Sequence, residues 1–164
     1  MEILDIVDDK DEVVGRASHA EIYEKFLTHR IAHVLLFNDK GEMALQLRSK
    51  HKRFCPQHWV TAVGRHVQSG ESYEEAALRE MEEEIGIKIP IKFLRKDEYE
   101  DPQREGFTKF LGTFKAKYDG AFEVNPEEVE RVEYFSLEVI QQMVEVGEKF
   151  HPELLFLLKR EYGI

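Results

Sequence analysis

Three glutamates spaced as neighbours on a helix are the residues best suited to chemistry. Glu80, Glu83 and Glu84 lie three and four positions apart, and Arg79 lies beside Glu83 at the edge of their face. Adjacent carboxylates repel one another and weaken a helix. A bound divalent cation would offset that repulsion, because carboxylate oxygens suit Mg²⁺ or Mn²⁺. A solvated acidic surface is the alternative, and the trio taken alone favours it.

The segment that must position these acids is predicted to be a helix over residues 72–85. Ser72 and Glu75 have the spacing of a capping box at its start. Gly86 follows its end, where a left-handed C-cap belongs. On a helical wheel the glutamates fall on a different face from the apolar stripe. The stripe that we expect to be buried consists of Ala77, Leu78, Met81 and Ile85.

Strands and further helices are predicted on both sides of that helix. The predicted strands are residues 3–7, 13–17, 29–37, 42–48, 59–64, 89–95, 107–118 and 129–135. The other predicted helices are residues 18–27, 137–146 and 153–162. Because hairpins and helices alternate, we expect an α/β (α+β) fold in which a mixed sheet packs between helices. The length predicts one domain over 1–164, with a hairpin and short helix in 1–28 and two helices in 137–164.

Composition excludes several classes of partner and site. Lys plus Arg total 23 and Asp plus Glu total 33, so the chain carries a net charge of −10, which argues against a nucleic-acid partner. No apolar run is long enough to span a bilayer, and the first ten residues lack a signal-peptide layout. The single cysteine, Cys55, excludes an internal disulfide framework and a Cys-rich zinc site. We therefore expect a cytoplasmic protein with no membrane partner.

The residues around the acidic helix resemble the signature of a known hydrolase family. Glu71 precedes Arg79 by eight positions, and Arg-Glu-Met-Glu-Glu-Glu-Ile-Gly-Ile occupies residues 79–87. This resembles the Nudix box, in which Gly, five residues, Glu and seven residues precede Arg-Glu-apolar-x-Glu-Glu-x-Gly-apolar. Every specified position from Glu71 onward matches. Further stretches look like the isopentenyl-diphosphate-isomerase-like branch of Nudix proteins, and they lie at residues 29–30, 37–42, 46–49 and 52–59.

The resemblance implies a fold, a reaction and a set of roles. The fold is a Nudix-type α/β/α sandwich, and the reaction is hydrolysis of a small-molecule diphosphate linked to another moiety, written NDP–X. Mg²⁺ or Mn²⁺ is the implied cofactor. By position, Glu83 and Glu84 would be metal ligands, and Glu80 would be a ligand or the base. Arg79 would orient a carboxylate, and Gly64 would offer its backbone carbonyl to the metal.

One position departs from the box. Its first glycine falls on residue 65, which is Arg65 in this chain. If φ is positive there, an arginine costs about 1 kcal/mol or more. Three interpretations stay open, in which Arg65 bends the loop, crowds the metal or reaches a substrate phosphate.

A basic loop supplies the predicted substrate-binding residues. Its cations are Arg48, Lys50, Lys52 and Arg53. The loop is positively charged, whereas the whole chain has a net charge of −10. This difference predicts that the loop attracts an anionic substrate, although a solvated surface loop is an equal alternative. We assign Arg48, Lys52, Arg53 and Arg65 to substrate binding. Phe54 and Trp59 are predicted to belong to the core.

A later acidic stretch contains alternative candidates for the general base. Glu127, Glu128 and Glu130 lie just before or within the strand at 129–135. In the family the base sometimes stands on such a late loop. A solvated acidic turn is the favoured interpretation of each residue taken individually.

Two rival functions are weighed against hydrolysis. Isopentenyl-diphosphate isomerase binds metal through histidines, and His29 and His66 lie where two of them could be, but residues 59–66 lack the cysteine that enzyme uses. A non-catalytic nucleotide-sensing Nudix module is favoured only by Arg65, because the acidic triplet is intact.

The identity of the X group and the oligomeric state stay open. No loop motif in the sequence identifies the X group. A homodimer is left open, since the N-terminal hairpin and residues 156–158 are apolar but could equally be buried within the monomer.

Overall fold

The computed structural model describes residues 2–164, which contain nine strands and four helices. The strands are β1 (Ile3–Val7), β2 (Val13–Ser18), β3 (His29–Phe37), β4 (Met43–Arg48), β5 (Trp59–Thr61), β6 (Val63–His66), β7 (Lys92–Glu100), β8 (Thr108–Lys117) and β9 (Val129–Phe135). The helices are α1 (His19–Lys25), α2 (Tyr73–Ile85), α3 (Leu137–Glu145) and α4 (Pro152–Tyr162). Within those residues, no helix is long and apolar enough to cross a membrane.

Two predicted strands are corrected. The segment 59–64 is divided into β5 and β6, because β5 pairs with β4 whereas β6 pairs with β3. The strand predicted at 89–95 lies later, at Lys92–Glu100, where it pairs along β8. In both cases the boundaries depend on the strand with which the segment pairs. The hydrophobic pattern within one segment does not specify that partner strand.

The main sheet is mixed, as expected. Its strand order is β5-β4-β3-β8-β7, with β6 paired to β3 and β9 paired to β4. The β3–β8 pair is parallel, whereas the pairs β3–β4, β4–β5, β4–β9 and β7–β8 are antiparallel. Strands β1 and β2 form a separate two-stranded antiparallel sheet.

Helices cover both faces of the main sheet, which confirms an α/β/α sandwich. Side chains alternate along β3, so Val34 packs in one apolar cluster and Leu35 in another. The first cluster includes Met81 from α2. The second includes Ile140 from α3 and Leu154 from α4.

Helix α2 begins and ends at the predicted caps. Ser72 and Glu75 form the complete capping box, and Gly86 adopts the left-handed conformation with φ of 70°. The buried stripe includes Ala77, Met81 and Ile85 as predicted, but Leu78 is 36% exposed. The stripe is centred nearer Glu84 than the wheel suggested, which leaves Leu78 at its far edge.

Candidate functional site

The acidic residues of α2 divide between the buried side of the helix and its rim. Glu80 and Glu84 are only 4% and 3% exposed, so the prediction that all three glutamates share a separate face is wrong. Glu83 lies at the rim, with 59% of its side chain exposed. Burial raises the pKa of Glu80 and raises that of Glu84 to about 7. Two such carboxylates are stable as anions only beside cations.

Arg79 clamps the acidic residues together. Its Nε and Nη2 atoms donate to the two carboxylate oxygens of Glu71 at 2.7 and 2.9 Å. Its Nη1 atom donates to Glu80 and, at 3.3 Å, to Glu83. These hydrogen bonds, first those to Glu71, raise the pKa of Arg79 above its usual range. Arg79 therefore makes hydrogen bonds to the carboxylates of Glu71, Glu80 and Glu83 at the same time.

Arg65 lies in extended backbone and carries no left-handed strain. It belongs to β6, opposite Ala32 of β3, whereas positive φ at described non-glycine residues occurs at Asp11, Phe26, Cys55 and Gln57. The interpretation that Arg65 bends the loop is therefore wrong. Its guanidinium lies among carboxylates of three residues, at distances between 3.1 and 3.7 Å.

Gly64 is required by close packing rather than by a special φ. It pairs with His33 of β3, and a Cβ atom added at Gly64 would lie 2.9 Å from the His33 ring and from Thr61 Oγ1. Only glycine lets β6 approach β3 this closely. The residue lines the larger cavity beside the acidic cluster.

A cavity of about 820 Å³ is lined by the basic loop and by Gly64, and Glu80, Glu83 and Glu84 are not among its lining residues. The predicted substrate-binding residues that line it are Arg48, Lys52, Arg53 and Arg65. Lys50, the remaining loop cation, does not line it. The volume is within the range of small-molecule sites. A smaller cavity, of about 260 Å³, lies directly over Glu80, Glu83 and Glu84.

Phe54 is part of this cavity wall, so its assignment to the core is corrected. It is only partly buried, and the Arg104 guanidinium lies 5.1 Å from the centre of its ring. Its carbonyl accepts a hydrogen bond from Arg48 Nε at 3.0 Å. Trp59 is 5% exposed and belongs to the core as predicted.

Glu128 is the acid of the late loop that the fold brings to the site. It accepts hydrogen bonds from Lys52 and, at 3.1 Å, from Arg65 Nη1, and it lines both cavities. Glu127 lines only the larger cavity, and Glu130 is exposed and lines neither. The preference for a solvated turn is therefore wrong for Glu128. The number of residues between α2 and Glu128 does not predict that they are close. Glu128 directly precedes β9, which reaches the site by pairing with β4.

A buried ionic group beneath the larger cavity was missed by sequence reasoning. Glu153 of α4 accepts hydrogen bonds from Lys109 Nζ at 2.9 Å and from His33 Nε2 at 2.8 Å. Although burial opposes it, the charge of Lys109 and the hydrogen bond from His33 hold the pKa of Glu153 well below its usual range. The available signal was Lys109, a charged residue within a predicted apolar strand.

A cluster of two histidines and one glutamate in the lining of the larger cavity could also hold a metal. Glu2, His19 and His66 each place one ligand atom within 4.8 Å of the others. The Tyr23 hydroxyl lies 2.8 Å from His66 Nε2, and the ring of His29 stacks 5.5 Å from that of His66. The two histidines singled out from the sequence are therefore brought together.

Comparison with known proteins gives concordant matches over nearly the whole chain. The family model described as NUDIX domain matches residues 27–157. An uncharacterized Nudix hydrolase from Nostoc sp. is 30% identical over 165 residues, which cover 99% of this chain and 97% of the relative. The crystal structure of DR0079 from Deinococcus radiodurans has a TM-score of 0.84 at 28% identity, covering 98% of this chain and 99% of that chain.

A match to an isomerase is shorter. Isopentenyl-diphosphate Delta-isomerase 2 from Photorhabdus laumondii is 36% identical over 91 residues, which cover 56% of this chain and 51% of the relative. The similarity thus reaches about half of each chain. It supports the isomerase-like branch only weakly, whereas the match to the Nostoc sp. Nudix hydrolase covers 99% of this chain.

Proposed function

From the premise that this chain belongs to the Nudix hydrolase family, we propose that it hydrolyses a phosphoanhydride bond of a small-molecule diphosphate, NDP–X, with Mg²⁺ or Mn²⁺. One observation carries the proposal. The buried carboxylates of Glu80 and Glu84 line the smaller cavity, Arg48, Lys52 and Arg53 line the larger one, and Arg65 and Glu128 line both. Such a site suits a substrate that brings negative charge to a metal-binding cluster.

The residues present fit a divalent metal of this kind. The donors are hard carboxylate oxygens, which Mg²⁺ and Mn²⁺ prefer, and burial of Glu80 and Glu84 makes their negative charge costly unless a cation is near. Glu80, Glu83 and Glu84 would hold the ion, together with the Gly64 carbonyl. When bound, the ion supplies positive charge that neutralises the diphosphate and makes a bound water more acidic.

The protein's own side chains position the carboxylates and bind the substrate. Arg79 is a positioning residue, because its hydrogen bonds fix Glu71, Glu80 and Glu83. Arg48, Lys52 and Arg53 bind the phosphate oxygens from the cavity wall. Holding substrate and carboxylates in a fixed geometry removes much of the entropic barrier to attack by water.

We consider two carboxylates as candidates to accept the proton of the attacking water. Glu80 is on the buried side of α2, and Glu128 lies at the junction of the two cavities. Separate Glu80→Gln and Glu128→Gln variants distinguish them by pH dependence. The variant that lacks the base loses the acidic limb of the pH profile of kcat/KM, whereas a variant that lacks only a ligand keeps that limb and needs more metal.

A substrate panel tests the proposal directly. The protein is incubated with Mg²⁺, Mn²⁺ or EDTA and with nucleoside diphosphate sugars, dinucleoside polyphosphates, NADH, ADP-ribose, CoA and oxidised dNTPs. Phosphorus NMR identifies the bond that is cleaved. We expect cleavage of a phosphoanhydride in at least one substrate, abolished by EDTA. Background rates on every substrate would contradict the proposal.

The isomerase is the second candidate, and the cluster of Glu2, His19 and His66 is the observation that favours it. Residues 59–66 contain no cysteine, which is a specific objection. Isopentenyl diphosphate therefore belongs in the same panel. Formation of dimethylallyl diphosphate would establish the isomerase, and tight binding of a nucleotide without turnover would instead indicate a sensor module.

We further propose that residues 1–164 act as one domain in the cytoplasm, on a small molecule rather than on nucleic acid or membrane. The net charge of −10 supports this, because nucleic acids and anionic membrane surfaces repel a chain with net negative charge. A homodimer is a further proposal that size-exclusion chromatography with light scattering tests.

A further inference from the structure

We propose that the Arg65 guanidinium is a built-in counter-cation of the acidic site, which a divalent ion must displace in order to bind. The inference rests on the proposed metal site of the hydrolase and adds a competitor for it. Arg65 stands where the Nudix box has glycine, so the competing charge is a property of this chain.

The guanidinium makes a hydrogen bond to Glu128 and lies farther from the carboxylates of Glu80 and Glu84. Its Nη1 atom is 3.1 Å from Glu128 Oε2 and 3.5 Å from Glu84 Oε2, and its Nε atom is 3.7 Å from Glu80 Oε2. The Nε–H is buried without a hydrogen-bond partner. Arg65 is therefore held largely by the summed negative charge, as a cation at the centre of an acidic cluster would be.

Glu84 depends on Arg65 for its positive neighbour. Within residues 2–164, Arg65 is the cation whose charged group lies within 4.0 Å of the Glu84 carboxylate. Gln46 adds only a neutral hydrogen bond to Glu84, at 3.3 Å. Glu80 differs, because Arg79 holds its other oxygen. Removing the charge at Arg65 thus leaves Glu84 buried without compensation.

Competition with a divalent ion follows from this placement. A metal bound by Glu80 and Glu84 would lie within a few ångströms of the guanidinium, and like charges at that separation repel strongly in a largely buried site. Binding therefore requires Arg65 to move away, which costs its contacts with three carboxylates. The metal-free cluster is stabilised, and the affinity for metal is lowered.

The test is Mn²⁺ binding, measured by the electron paramagnetic resonance signal of free Mn²⁺ in titrations of the full chain at pH 8. Arg65→Met keeps the length of the side chain and removes its charge. We expect it to bind Mn²⁺ at least tenfold more tightly than wild type. Lys50→Met removes one positive charge from the neighbouring loop, outside both cavities, and we expect its affinity to remain within twofold of wild type.

Equal or weaker Mn²⁺ binding by Arg65→Met overturns the inference. Should that variant fail to fold by circular dichroism, Arg65→Gln decides, because it removes the charge but keeps a polar side chain. Tighter binding than wild type supports the inference, and equal or weaker binding overturns it. The thermal midpoint gives a second measurement, in which saturating Mn²⁺ stabilises Arg65→Met by more than it stabilises wild type.

Failure of this inference can be told apart from failure of the proposed function. The hydrolase proposal fails when wild type shows no EDTA-sensitive cleavage of any panel substrate. The role of Arg65 fails when wild type and Arg65→Met have the same Mn²⁺ affinity, whatever their hydrolytic rates. The two measurements are made on separate properties of the same chain.

Discussion

Single residues at this site tolerate little change because they are packed as well as charged. Glu84 is 3% exposed and carries a pKa raised to about 7 by burial, so it resists ionisation unless a cation is near. Gly64 has no room for a methyl group beside His33 and Thr61. Glu84 is therefore constrained by the cost of burying its charge, and Gly64 by the lack of space around it. The two effects can be measured separately.

Gly64→Ala tests the packing effect. The added Cβ would lie 2.9 Å from the His33 ring and Thr61 Oγ1, so we expect a loss of about 1–3 kcal/mol in the free energy of unfolding. Urea titration followed by the fluorescence of Trp59, the one tryptophan, measures it. Gly15→Ala is the matched control, since its nearest neighbour would be 3.8 Å away. Equal stability of the two variants would contradict the packing argument.

His29 makes stability depend on pH. It is fully buried, its Nδ1–H donates to the Leu27 carbonyl at 2.9 Å, and its Nε2 atom has no partner. Burial lowers its pKa from 6.5 to about 4. Between these values the unfolded chain binds a proton that the folded chain does not. Stability therefore falls as pH falls through this window, by about 2 kcal/mol between pH 7 and 5 from this residue.

Comparison with His29→Gln isolates that contribution. The variant retains a polar side chain but has no group that titrates in the window, so its unfolding free energy should change less between pH 7 and 5. The remaining histidines are common to both proteins. If both lose the same amount of stability, His29 is not a source of the pH dependence.

At the scale of elements, α4 is fastened to the sheet by charge as well as by apolar contacts. Glu153 near its start bonds His33 of β3 and Lys109 of β8, and all three side chains are at most 6% exposed. Leu154 and Leu158 pack in the apolar cluster on the same side of the sheet. The ionic group also lies in the lining of the larger cavity, so the position of α4 shapes the site.

Glu153→Gln should be strongly destabilising because it leaves Lys109 buried without a counter-charge. We expect a loss of about 3 kcal/mol or more, measured by urea unfolding. The double variant Glu153→Gln/Lys109→Met removes both charges and should recover a substantial part of that loss. Additive losses in the double variant would show that the two residues do not stabilise one another.

Sequence patterns within a segment predicted the helices and strands better than they predicted which strands pair with one another. Caps and hydrophobic spacing gave α2 within one residue, because they depend on neighbours along the chain. The division between β5 and β6 and the later position of β7 depend on distant strands, so they were not predicted. The buried side of α2 was misplaced because two of its members are glutamates, which hydrophobic pattern assigns to the surface.

At the scale of the whole molecule, segments that are distant in sequence line one cavity. They give it a positive local charge, opposite in sign to the net charge of the chain. A chain of net charge −10 lines this cavity with cations from the basic loop, from β6 and from β8. The box and the loop were predicted, since each is continuous in sequence. Glu128, Lys109 and Glu153 join them only through strand pairing and the packing of α4, and no spacing in the sequence specifies that.

The most direct test of the central claim compares two neighbouring glutamates of α2 in hydrolysis of the best panel substrate with Mg²⁺. Glu84 is buried beside the cavities, whereas the Glu82 side chain is 55% exposed and lines neither of them. We expect Glu84→Gln to lower kcat/KM by about 100-fold or more, a loss typical of electrostatic groups in active sites. Glu82→Gln should stay within about threefold of wild type, as expected of an exposed residue. Equal rates for both variants, with both folded, would contradict the claim that these buried acids serve a metal-dependent hydrolysis.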